Sequence, residues 1–203
     1  MSELAKRKKD RLGCARFLLC AAITFALLFF IVGEGRQMVL EFMYPEKYSE
    51  EVEKYSDMFG VDKYLVYAVI KTESGFDEKA RSNVGAKGLM QIMDETAAEC
   101  NQKAGFGYNI PDDIYNPEVN ISLGCYYLKS LTESYDGDIT LAITAYNGGT
   151  GNVGKWLTDE KLSDGDGGLL DIPFKETKGY VDKVLAAYEK YKEIYEDNGR
   201  NKK

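Results

Sequence analysis

The chain has 203 residues, 44% of them apolar, which suits one ordinary domain with extra segments and hardly two. It contains no histidine; that removes Ser-His-Asp and Cys-His nucleophile schemes and imidazole metal sites, and leaves proton transfer near neutral pH to Glu, Asp, Lys, Tyr or Cys. The net charge of −7 divides into +4 over residues 1–40 (seven Lys/Arg, three Asp/Glu) and −11 over residues 41–203 (nineteen, thirty), and a domain that acidic repels the phosphates of nucleic acid.

Residues 1–16 are basic, with Lys6, Arg7, Lys8, Lys9, Arg11 and Arg16. Residues 17–33, FLLCAAITFALLFFIVG, form a run of seventeen without a charge. As a helix this run is roughly 25 Å long, at the short end for a bilayer core. No small-residue cleavage site follows it, so it reads as an uncleaved transmembrane anchor rather than a removed signal peptide. Leu12-Gly13-Cys14 precedes the apolar run, which argues against a lipoprotein. The basic flank predicts a cytoplasmic N-terminus and places the rest outside the cell membrane in a single-pass arrangement. Residues 34–46 read as a linker, residues 47–197 as the main domain and residues 198–203 as a tail.

The main domain reads as all-α. Tyr48, Val52, Tyr55 and Phe59 recur at helical spacing, and Gly60 is a stop. VDKYLVYAVIKTES, residues 61–74, predicts a second helix closed by Gly75. Asp94 is a candidate cap for a helix to about 103. Asn116-Pro117 is a start signal for a helix to about 134. Asp138 begins another, which stops at Asn147-Gly148-Gly149. Residues 158–172 are polar and Gly-rich, a loop. The last helix is predicted over about 176–197, with Tyr180, Val184, Tyr188, Tyr191 and Tyr195 on one face. No segment shows convincing period-two alternation. Of the four cysteines, Cys100 and Cys125 could pair in an exported domain, but isolated helical cysteines are more often small core residues.

Three motifs resemble sites without their chemistry. Gly149 to Lys155 has the glycine and lysine spacing of a phosphate loop, but Trp156 stands where a metal-binding hydroxyl belongs and a helix, not a strand, precedes it. Asp164-Gly-Asp166 begins like a calcium loop, but Leu169 and Lys175 stand where Gly and Glu are needed. Asn120-Ile-Ser122 fits a glycosylation acceptor but falls inside a predicted helix.

Glu73 carries more information. It lies three residues after Ile70 and four after Val69, so it shares a face with the apolar stripe of its helix. It also sits at the helix C-terminus, where the macrodipole disfavours an anion. Both effects raise a carboxyl pKa, which suits a group that must hold a proton and then donate it. Three further segments follow: Gly88-Leu89-Met90-Gln91-Ile92-Met93, Ala145-Tyr146-Asn147, and Glu176-Thr177 with Tyr180-Val181.

Glu73-Ser74 and these three segments, in this order, resemble the soluble lytic transglycosylase catalytic (SLT) domain family of the lysozyme-like superfamily. The resemblance covers roughly residues 47–193. Asp94, where the family often has Pro, and the Gly-rich insert at 163–168 depart from the pattern without touching the motif residues. The resemblance implies a lysozyme-like helical domain that cleaves the β-1,4 bond between MurNAc and GlcNAc in peptidoglycan with 1,6-anhydro-MurNAc formation, here joined to the membrane anchor read at residues 17–33. It implies that Glu73 is the single catalytic acid/base. It implies glycan contacts at Ser74, Ser82, Gln91, Met93, Tyr146, Asn147, Glu176 and Tyr180, with Glu176 and Tyr180 closing the site. No metal or organic cofactor is implied. A lysozyme-type muramidase and a non-catalytic peptidoglycan-binding domain remain the alternatives.

Overall fold

A computed structural model describes residues 3–196, with the side chains of 3–17, 26, 27, 30 and 34 outside the description. The chain divides into two compact units, residues 1–45 and 46–203. The tail at 198–203 lies outside the described residues.

The first unit is one helix, α1 (Glu3–Met43). It includes the apolar run and continues through most of the expected linker, so residues 34–43 are helical. Among the described residues no helix is long and apolar enough to cross a membrane. Four side chains of the 17–33 run, at 17, 26, 27 and 30, are outside that description. The large apolar side chains described in this run are exposed: Leu18, Leu19, Ile23, Phe25, Leu28, Phe29, Ile31 and Val32. At 100° per residue they point to every side of the helix.

The second unit is built from α2 (Ser49–Phe59), α3 (Lys63–Glu73), α4 (Asp94–Ala104), α5 (Pro117–Ser134), α6 (Ile139–Gly148), α7 (Thr150–Leu157) and α8 (Lys175–Tyr191). A 3₁₀ turn at Asp112–Tyr115 precedes α5, and a π turn at Lys192–Glu196 continues α8. There are no strands among the described residues, only isolated bridges such as Lys87 with Ile92.

Local chemistry sets several boundaries. Asp62 caps α3 by accepting from the Tyr64 amide at 2.8 Å. Asn116 caps α5 through the amides of Glu118 and Val119, and Asp138 caps α6 through that of Leu141. These side chains satisfy amides that a helix start leaves without partners. Asp94 does not cap α4; it is the first helical residue, and Met93 holds the cap position without a side-chain bond. The Asp94 carboxylate instead pairs with Lys87 at 2.7 Å. One helix was not predicted: α7 occupies the segment that mimics a phosphate loop and buries Val153 and Trp156.

α3 runs through the core. Leu65 to Ile70 are all buried, which explains why this helix is apolar on nearly every side. It packs against α8, where Tyr67 stacks on Tyr191 with ring centroids 5.4 Å apart. At the start of α3, Tyr188 of α8 donates to Asp62 at 2.7 Å. These ties hold the start and middle of α3 against the end of α8, and Glu73 lies at the opposite end of α3.

Candidate active site

Glu73 is the last residue of α3 and is partly buried. Burial pushes its pKa up to about 7. The Tyr180 hydroxyl is itself buried and has no well-formed hydrogen bond within the protein. It still approaches Glu73 closely enough to draw the carboxyl pKa partly back. Burial, then the nearby Glu73 and Tyr146, push the Tyr180 phenol well above its ordinary range. Tyr146 is raised in the same way, first by burial and then by Glu73. Glu73, Tyr146 and Tyr180 therefore form one cluster, contributed by the C-terminus of α3, the last turns of α6 and the first turns of α8.

The other expected residues divide into two groups. Ser74, Ser82 and Gln91 spend hydrogen bonds on their own loops. The Ser74 hydroxyl donates to the Ile70 carbonyl and accepts from the Phe76 amide, both at 3.1 Å, and so closes the end of α3. Ser82 accepts from the Ala86 amide at 2.9 Å. The Gln91 amide nitrogen donates to the carbonyls of Gly88 at 2.8 Å and Ala80 at 3.1 Å. Gln91 also has left-handed backbone, φ 47°, uncommon for a side-chain-bearing residue. Met93, Asn147 and Glu176 are exposed. Glu176 lies in the first turn of α8; Tyr180, one turn on, approaches the Glu73 carboxyl.

Asn120 was singled out in the sequence only for its glycosylation pattern. It is fully buried on α5, so that acceptor reading does not apply to the folded chain. Its side chain bonds the loop that carries Gln91. The available signal was a polar residue between Val119 and Ile121 on a helix face rich in apolar residues.

Cys100 and Cys125 are both buried and unbridged. Burial raises both thiols, Cys100 to about 12, so neither ionises readily. Among the described residues no group of three or more acidic, Cys or His side chains is placed to hold a metal ion. A cavity of about 320 Å³ between α4 and α5 is lined partly by Tyr126, Tyr127 and Thr150. Tyr127 packs against Tyr146 with centroids 5.1 Å apart, so this cavity lies one ring away from the cluster.

Chemically, the arrangement is a carboxylic acid poised to be protonated near neutral pH, flanked by two neutral phenols. It can donate a proton to a leaving oxygen and, once ionised, accept one.

Residues 50–166 match the family described as "Transglycosylase SLT domain". The chain is 35% identical over 156 residues to the "Soluble lytic murein transglycosylase" of Escherichia coli, covering 75% of this chain and 24% of that protein. It is 33% identical over 171 residues to the "Membrane-bound lytic murein transglycosylase C" of Edwardsiella ictaluri, covering 73% of this chain and 47% of that one. In structure it resembles the 70 kDa soluble lytic transglycosylase of Escherichia coli, with a TM-score of 0.70 at 33% identity, over 76% of this chain and 25% of the other. The chain thus spans about a quarter of the soluble relatives' length and about half of the membrane-bound one's.

Proposed function

The chain belongs to the transglycosylase SLT domain family, and on that premise we propose that it is a lytic transglycosylase acting on peptidoglycan. The supporting observation is Glu73: one carboxyl with a pKa near 7, set between Tyr146 and Tyr180. A hydrolase that adds water across a glycosidic bond normally uses two carboxyl groups at set separations. This cluster contributes one. The reaction it suits draws its nucleophile from the sugar.

Protonated Glu73 gives its proton to the oxygen leaving the anomeric carbon of MurNAc, and the bond between them breaks. The acetamido oxygen of MurNAc supports the developing cation. The Glu73 carboxylate then takes the proton of the C6 hydroxyl, whose oxygen bonds to the anomeric carbon. The product is a 1,6-anhydro sugar, and Glu73 returns to its protonated form. Burial between the neutral Tyr180 and Tyr146 favours the acid form of Glu73, and the Tyr180 hydroxyl offsets part of that effect. Ser74, Ser82, Gln91, Met93, Asn147 and Glu176 are proposed glycan contacts. Ser82 would donate its hydroxyl hydrogen and Gln91 would accept through its side-chain oxygen, neither of which is committed to its loop.

We further propose that α1 anchors the domain in the cell membrane. Its support is the uncharged run at 17–33, the basic residues before it and the apolar side chains exposed on every side. The relatives named membrane-bound point the same way.

Purified walls digested with the residue 41–203 fragment test the reaction. Mass spectra should show anhydro-muropeptides. Reducing-end products would identify a hydrolase. Glu73→Gln should leave the fold intact and lower release by about 10²–10⁴-fold, the usual worth of a general acid–base group. Wild-type-like release by that variant would sink the assignment. Release should also fall as pH rises through about 7, because the acid form of Glu73 is lost there. The same carboxyl has its folded pKa raised, so the stability tied to it is present at low pH and declines as pH climbs to 7. Glu73→Gln should remove that decline and melt higher than wild type at pH 8.

A further inference from the structure

The segment Lys87–Met93 carries Gln91 and Met93, and it is not a helix or a strand. Part of its shape is internal. Lys87 and Ile92 exchange backbone hydrogen bonds at 3.1 and 3.0 Å, and Gln91 bonds back to Gly88. What fixes it against the rest of the domain is Asn120 of α5. The Asn120 side-chain oxygen accepts from the Met90 amide at 2.8 Å. Its amide nitrogen donates to the Lys87 carbonyl at 3.0 Å and to the Ile114 carbonyl at 2.9 Å. Both N–H groups and the oxygen of a fully buried side chain are thereby satisfied.

Two glycines let α5 come this close. A Cβ on Gly88 would collide with the Asn120 amide, and one on Gly124 would collide with the Met90 sulfur. From the other side, the Tyr146 hydroxyl of α6 donates to the Met90 carbonyl at 2.7 Å. The N–H and C=O of Met90 are therefore gripped by two different helices, immediately before Gln91.

An apolar residue at this point of α5, such as its neighbours Val119 and Ile121, would leave the Met90 amide without the oxygen it meets. That amide belongs to the backbone and cannot be exchanged for an apolar group, so losing its partner is unfavourable. The hydrogen bonds of Asn120 add geometric definition: they set the register and depth of the segment that presents Gln91 and Met93. We propose that Asn120 is a positioning residue for glycan binding, acting through the Met90 peptide although its own side chain is sealed from solvent. The proposal rests on the reading of Gln91 and Met93 as glycan contacts.

The test is binding to purified wall in the full chain carrying Glu73→Gln, so that substrate is held and not cut. Adding Asn120→Ala should weaken binding about tenfold or more at a temperature where circular dichroism shows it folded. Val52→Ala, a buried change on α2, serves as a control for lost stability and should bind like the Glu73→Gln parent. Asn120→Leu keeps nearly the same shape, adds no charge and loses the acceptor and both donors, and should weaken binding as much as Asn120→Ala. It carries the same comparison if Asn120→Ala does not fold. Folded Asn120 variants that bind like the parent overturn the proposal and leave the transglycosylase reading standing. A parent that does not bind wall overturns both.

Discussion

The loops at 80–93 and 158–172 are both interrupted by glycine and both lack regular structure, yet they are held in opposite ways. The first is tied to helices far away in sequence. Asn120 and Tyr146 bond its backbone from 30 and 56 residues away. The second is tied mostly to itself. Asp164 accepts from the amides of Asp166 at 2.9 Å and Gly168 at 2.8 Å, and Leu170 bonds back to Leu162 at 2.7 Å. Its outward links are an exposed ion pair between Asp171 and Lys178 and the apolar contacts of Leu162, Leu169 and Ile172 with the core. A loop gripped by helices inherits their rigidity; a loop gripped by itself does not. Three of the candidate glycan contacts, Ser82, Gln91 and Met93, sit on the first kind.

Substitutions can break this contrast at several strengths. The largest effect is expected from Gly88→Ala. The new methyl meets the Asn120 amide, and alanine is strained at φ 75°. Overpacking and backbone strain together should cost about 3 kcal/mol, read by chemical denaturation. A cost below about 0.5 kcal/mol would mean that the loop is not pressed against α5. Tyr146→Phe comes next. It leaves the buried Met90 carbonyl without its partner, a loss of about 1–2 kcal/mol, and should also reduce muropeptide release. Unchanged stability and release would show that the grip from α6 is dispensable. Asp164→Ala is expected to do least. It frees two amides that water can reach, so the melting temperature should move by less than about 2 °C and release should stay at the wild-type rate. A large drop in release would place the second loop in the site and erase the contrast.

The same contrast explains what was legible beforehand. Asn116, Asp138 and the apolar stripe of α3 could be read because capping and amphipathicity act within a few residues. Glu73 could be read as an unusual acid because its helix position and its face are local facts. The helix α7 could not, since Gly151 and Gly154 oppose helix formation; burial of Val153 and Trp156 overrides them. Asp94 looked like a cap and became the partner of Lys87, a choice made by the neighbouring loop.

By itself, the sequence determined an all-helical domain, the four motif segments in order, and one carboxyl suited to proton transfer. The split between a basic, apolar first part and an acidic second part was also plain from composition. Only the tertiary structure decided that Tyr180 lies against Glu73, and that Asn120 holds the Met90 peptide. Those facts depend on contacts between groups distant in the chain. Their cost in loop closure and desolvation is repaid only when α3, α5, α6 and α8 pack together, and no local pattern records that.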